Sequence, residues 1–295
     1  MALGDIISAA RYNAMQATVT QVLGNGATTF GYGQPLSSTV VAPGATVNAT
    51  HMQRLKTDLV NIFAHQNGAI PTLTSIAANS DITDSSYVQY ESVTAGIAGL
   101  ARFNIDSAEG TTSAMASSTR STSWNGTITH EFSITFASAD ARRHFFNAGG
   151  EIRFNAQLQN SSDAKSSSWS SFLSSMQSVI FNHTTALSTA LITTDTSASI
   201  GNFDLVDDAA YVQIYTNAKT TGYSDTFYNI SAKATDNALT FLVEFVDGPA
   251  ATGPGGTIDE AVNGTITSSI NQFRATGAYV SVPSPVFSNI SAIST

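Results

Sequence analysis

Two stretches near the N-terminus place apolar residues at helical spacing. Tyr12, Met15, Val19, Val22 and Leu23 fall three and four apart within residues 5–23 and share one face. Gly24 and Gly26 follow and are placed to stop that helix. Met52, Leu55, Leu59, Ile62 and Phe63 repeat the pattern over residues 51–67, with Thr50 and Gln53 set as a capping box and Gly68 as the terminator. Between them, FGYGQPLSSTVVAPGATVNA is rich in Gly, Pro and Ser and reads as an ordered loop with an extended piece. The two helices are expected to pack as an antiparallel hairpin. Two narrow apolar faces make a small core, so Tyr12, Met15, Val19, Met52, Leu55, Leu59, Ile62 and Phe63 are also the expected docking face toward a neighbour.

From residue 121 the period becomes two. Ile128, His130, Phe132, Ile134 and Phe136 alternate with Thr129, Glu131, Ser133 and Thr135, which reads as a half-buried strand. Ser138 then caps a short helix, Ala139–Phe146, closed by Gly149 and Gly150. A second strand places Ile152, Phe154, Ala156 and Leu158 on one side. Trp169, Phe172, Leu173, Met176 and Ile180 return to helical spacing. Later strands are expected at Tyr211–Tyr215, Phe227–Ala232 and Leu239–Val246, with weaker ones near Gly264–Ile270 and Ala278–Val282. Residues 69–120 read as a linker or long loop, with a turn and a short strand over Asp81–Glu91. The predicted fold class is therefore α+β. A helical hairpin unit (1–68) and a linker (69–120) precede a mainly antiparallel, β-sandwich-like domain (121–295) with one or two inserted helices. The pentapeptide Asn-Gly-Thr-Ile-Thr occurs twice, from Asn125 and from Asn263, and suggests two equivalent strand starts.

Composition narrows the chemistry. The chain has 295 residues and no cysteine, so a disulfide framework, a cysteine nucleophile and a thiolate metal site are excluded. Charged residues are 11% of the chain and the net charge is -9, with 12 Lys plus Arg. A basic groove for nucleic acid is not expected, because phosphate neutralisation needs clustered cations. No apolar run approaches the ~18–20 residues of a membrane helix. Asp5 and Arg11 interrupt what a secretory leader would need, so no export signal of that type is expected.

No phosphate-binding glycine loop, dinucleotide fingerprint or H-E-x-x-H motif is present. The histidines are His51, His65, His130, His144 and His183, and none pairs with another at three or four residues. Each is read as packed or solvated, and no metal or cofactor is expected. Asp204, Asp207 and Asp208, with Asp259 and Glu260, are the carboxylates a glycan-degrading site or a calcium loop would use. A solvated turn is the expected role, and no catalytic residue is assigned. The aromatics Tyr211, Tyr215, Tyr223, Phe227 and Tyr228 cluster around two strands. Most are expected in the core; the other reading makes Tyr211, Tyr215, Tyr223 and Tyr228 a contact surface for sugars or another subunit. Trp124 and Trp169 read as core anchors.

Several segments resemble the virion structural proteins of tailed phages, especially those infecting cyanobacteria. In the N-terminal part these are Ala10-Arg11-Tyr12-Asn13, Val22-Leu23-Gly24-Asn25-Gly26, Gly31-Tyr32-Gly33-Gln34, Leu55-Lys56-Thr57-Asp58-Leu59 and His65-Gln66-Asn67-Gly68. Further on they are Trp124-Asn125-Gly126-Thr127-Ile128, the run Arg143-His144-Phe145-Phe146-Asn147-Ala148-Gly149-Gly150-Glu151-Ile152-Arg153-Phe154, and Val282-Pro283-Ser284-Pro285. The resemblance covers most of the chain and is weakest at 69–120. It implies a particle component, tail-fibre or neck-associated, made in the host cytoplasm and placed in the virion. The expected partners are copies of the chain itself, as a trimer or higher ring, and other tail or neck proteins. A receptor- or carbohydrate-binding module at a fibre tip, with a host surface glycan as partner, is the first alternative. A capsid decoration or tail-tube protein is the second. A glycan-degrading spike would require two carboxylates flanking a cleft.

Overall fold

The computed structural model describes residues 8–27, 30–78, 80–99, 110–189, 195–197, 200–205, 210–219, 223, 225–248 and 260–294. The chain forms two compact units. One comprises Met1–Thr111, Asp140–Gly150 and Arg274–Pro283; the other comprises Thr112–Ala139, Glu151–Phe273 and Ser284–Thr295.

The first unit is helical. α1 spans Ala9–Val22, with the Ser8 side chain accepting from Arg11 N as its cap. α2 spans Ala49–Asn67. Its capping box is Asn48 with His51, two residues earlier than the predicted Thr50–Gln53 pair: each side chain accepts from the other residue's backbone N–H at 3.1 Å. Gly68 ends α2 in the left-handed conformation, φ 67°, which only glycine adopts freely.

α1 and α2 run in the same sense, and this corrects the expected antiparallel hairpin. At their starts, Tyr12 Oη donates to His51 O at 3.4 Å. At their ends, Tyr32 N donates to Val22 O at 2.9 Å, and the Tyr32 ring meets His65 edge-on at 5.1 Å. The connector returns along both helices, held by side chains that take the place of a strand partner. Asn13 accepts from Val41 N at 2.9 Å and donates to Val41 O at 2.8 Å. Buried Asp58 accepts from Ser37 N, Ser38 N and Ser38 Oγ at 2.9, 2.7 and 2.6 Å. A connector of this length, running at about 3.3 Å per residue, spans the helices easily, so chain length never required a hairpin.

A third helix, α3, spans Asp84–Gly99, where a turn and short strand within a linker were expected. Tyr87, Tyr90, Thr94 and Ile97 are its buried residues at helical spacing. Arg11 of α1 fixes it: the guanidinium grips Glu91 at 2.5 and 2.7 Å, reaches Asp84 at 3.0 Å, and lies over the Tyr87 ring at 4.7 Å. The hydrogen bond from Arg11 holds the Asp84 carboxyl below its ordinary range. α4 spans Ala139–Asn147, and from Asp140 onward it belongs to this unit.

The second unit is a sandwich of two antiparallel sheets. One has the order β1-β10-β3-β4-β5: Gly110–Arg120, Thr265–Ala275, Glu151–Gln159, Ser178–Phe181 and Ala186–Ser188. The other has the order β11-β2-β9-β8-β7-β6: Val286–Ser294, Thr127–Thr135, Ala238–Val246, Phe227–Thr235, Val212–Ala218 and Asp195–Ser197. β1 and β11 were not anticipated, and Ala278–Val282 forms a single bridge, Thr276 to Ser281, in place of a strand. Inward residues alternate as the sequence pattern requires: in β2, Ile128, His130, Phe132 and Ile134 are buried and their neighbours are not. Phe154 and Phe181 from one sheet pack edge-on against Phe241 of the other, at 5.0 and 5.2 Å. α5, Ala164–Met176, inserts Trp169 against Trp124 at 5.9 Å. Ile180, assigned to this helix from its spacing, lies in β4.

The repeated pentapeptide has a structural counterpart. Trp124 and Val262 precede its two copies and pair with each other through two backbone hydrogen bonds, at 3.0 and 2.8 Å. Gly126 and Gly264 then both turn at positive φ, 88° and 115°, and release β2 into one sheet and β10 into the other.

Candidate functional site

Three stretches distant in sequence meet inside the helical unit: Asn25 with Phe30–Gln34, Asp140–Asn147, and Ser281. Arg143 Nε donates to Phe30 O at 3.0 Å, and Nη2 donates to Asn25 O at 2.7 Å. His144 Nε2 lies 3.0 Å from the same Asn25 carbonyl, and Asn147 Nδ2 donates to Gly31 O at 3.0 Å. Asp140 pairs with Arg143 at 2.8 Å. Gln34 donates to Ser281 O at 2.9 Å and accepts from Ser281 N at 3.2 Å. Three stretches distant in sequence thus form one clasp around the loop after α1. Gly33, at φ 70°, shows why glycine is needed there: a Cβ would sit 2.3 Å from His144 Nδ1. Burial pushes the His144 imidazole down, outweighing the Asn25 carbonyl, which raises it. Most of these hydrogen bonds end on backbone carbonyls, so the clasp shapes the chain and leaves little to act on a substrate.

The expected docking face is used internally. Tyr12, Met15, Val19, Met52, Leu55, Leu59 and Ile62 are buried, and Phe63 is half-buried. The connector and α3 supply the cover that the sequence reading assigned to a neighbour. The expected aromatic surface is not presented either. Tyr215 and Tyr228 are interior, packed edge-on at 6.1 Å, and burial pushes the Tyr228 phenol well up. Tyr211 is half-buried, donates to Glu131 and carries Lys233 over its ring at 4.5 Å. Tyr223 is half-buried with Lys219 at 5.5 Å. A sugar has no open tyrosine platform on which to stack.

The other titratable groups take structural positions. His130 is buried between the sheets with its Nδ1 on Ser268 Oγ; burial, then the charge of Arg120, pushes it down to about 4. Lys165 Nζ and Asp247 Oδ2 form a fully buried ion pair at 2.8 Å. Lys165 also donates to Glu260 O at 2.5 Å, and Trp169 Nε1 donates to Asp247 Oδ1 at 3.1 Å. Asp204 closes a turn by accepting from Gly201 N at 2.8 Å. Asp207, Asp208 and Asp259 lie outside the described residues. Among the described residues, no three His, Asp or Glu side chains gather as a metal site would require.

A concavity lies on the outer face of the five-stranded sheet. It has a volume of about 710 Å³ and is bounded by β3, β10 and the C-terminal end of α5. Asn155 and Gln157 face Ser269 and Thr267 across the β3–β10 ladder, and Asn271 stands at the next rung. Leu173, Ser174 and Gln177 form the helical wall. No charged side chain lines it. Asn271 Oδ1 is buried with no hydrogen-bond partner among the described residues. Sequence reasoning passed over this face, although Asn155, Gln157 and Gln159 alternate outward along β3. On a sheet exterior, amides and hydroxyls read as ordinary solvated surface.

By its fold, the chain is an α+β protein with an N-terminal helical region and a β-sandwich-like arrangement of two antiparallel sheets. It matches no family model, no curated protein and no solved structure.

Proposed function

We propose that this chain is a structural component of a tailed-phage virion. It acts in particle assembly as a tail- or neck-associated fibre or whisker protein, or as the adaptor for one. The observation that carries the reading is the convergence of the resembling segments. Val22–Gly26, Gly31–Gln34 and the start of the Arg143–Phe154 run each resemble the phage proteins separately in sequence, yet form one hydrogen-bonded clasp. Segments that are alike because they build the same junction are expected to be found together in this way. The low share of charged residues also suits contacts with other protein subunits. In this reading the chain is a homo-oligomer, works without a cofactor and performs no catalysis. Mass spectrometry of purified, dissociated particles tests it: peptides of this chain in fixed ratio to the major capsid protein are expected, and their absence contradicts the reading.

The outer-sheet trough favours a second reading, a receptor- or carbohydrate-binding module at a fibre tip. The two are compatible in one appendage, and they separate on the position of the chain in the particle. A capsid decoration role would place it over the head.

A further inference from the structure

We propose that the trough on the outer face of the five-stranded sheet is a binding site for an uncharged oligosaccharide. The inference stands apart from placement in a virion, since the site is built from the β-unit alone.

Its chemistry selects the ligand. Asn155 opposite Ser269 and Gln157 opposite Thr267 form two adjacent rungs, and Asn271 follows. On one sheet face such positions repeat at about 7 Å along a strand and about 5 Å across strands. The result is a flat grid of groups that can both donate and accept. Asn155, Gln157, Ser269 and Asn271 use no side-chain hydrogen bond on other described residues, and the Asn271 carbonyl oxygen is buried without a partner. The buried Asn271 oxygen is costly to leave unpaired, and beside it Asn155, Gln157 and Ser269 open on a cavity of about 710 Å³, where ligand hydroxyls can take the place of the water on them.

Other classes of ligand fit less well. Arg153, opposite Asn271 on the next rung, is engaged by Glu151 at 2.6 Å and lies over the Phe273 ring, so an anion would meet only a neutralised cation at the margin and none in the lining, and a nucleic acid needs several. An extended peptide is normally taken up along a sheet edge, whereas this is a face. An apolar ligand would strip water from amides and return nothing. A neutral sugar presents hydroxyls that donate and accept in kind, which matches a lining of amides and hydroxyls. The size falls within the ~300–1,000 Å³ of small-molecule sites.

The test probes the full chain against an array of immobilised neutral and acidic oligosaccharides, followed by titration of the best binder in free form. Retention on at least one neutral oligosaccharide is expected. Asn155→Ala with Gln157→Ala should weaken it about tenfold, the loss of roughly two net hydrogen bonds. Ser269→Trp, which fills the trough, should abolish it. Both sets of substitutions lie on an outer face, and an unchanged melting temperature shows that the fold is intact. If Ser269→Trp fails to fold, the alanine pair alone decides. Failure to retain any neutral sugar, preference for acidic ones, or retention untouched by the substitutions overturns the proposal.

Discussion

Among individual residues, the buried polar ones carry the sharpest energetics. Burial between the sheets keeps His130 neutral down to about pH 4, against an ordinary 6.5. The unfolded chain therefore binds the extra proton first as pH falls. Stability from this residue is fully present above about pH 6.5 and is lost on acidification toward pH 4, each tenfold difference in proton affinity being worth ~1.4 kcal/mol. Chemical denaturation at pH 7 and pH 5 should show His130→Gln losing less stability between the two than the wild type does. The Lys165–Asp247 pair makes a different point. Both side chains are fully buried, so removing one strands the other. Asp247→Leu or Lys165→Met should each cost about 3–5 kcal/mol, whereas the two together should cost less than either alone. A double-mutant cycle read by urea unfolding checks this; simple additivity would show that the two side chains act independently.

Helices and strands are secured by side chains that stand in for missing backbone partners. Asp58 holds the returning connector by three short bonds. Asp58→Ala should lower stability by about 2–3 kcal/mol and raise amide exchange at Ser37 and Ser38 first. Arg143→Ala should cost a similar amount, about 2–3 kcal/mol, by leaving the Asn25 and Phe30 carbonyls without their donor. Unchanged amide exchange at Tyr32 and Gly33, whose N–H groups bond back to the end of α1, would contradict the clasp. These devices mark where sequence reading succeeds and where it stops. β2 and β9 are legible because one face is apolar and the other is not. α3 is hidden because Val88 stands exposed among the buried Tyr87, Tyr90 and Ile97; apolar residues on two faces blur the period, and the Ser, Thr, Ala and Gly between them look like linker. The shared direction of α1 and α2 is written in Asn13, Asp58 and Tyr32, whose partners lie too far along the chain for any local pattern to name. The clasp residues Asn25, Gln34, Arg143, His144 and Asn147 are each visible as polar positions, Asn25 and Gln34 beside glycines, but nothing in their spacing says that they meet. The trough is silent because unspent amides on a strand exterior look like any solvated face.

At the scale of the whole molecule, one chain supplies a helical unit with its own core and a closely packed sandwich. The helical unit therefore needs no partner to cover Tyr12, Leu55 or Ile62. The edge strand β11 presents Val286 and Ile290 to solvent, the kind of edge that other chains can extend. Whether the particle is the setting for these surfaces is decided most directly by gold-labelled antibody imaging of intact phage, using antibody raised against this chain. The expected result is label confined to the neck, tail or fibres. Label over the head, or none on intact particles, would contradict the appendage reading.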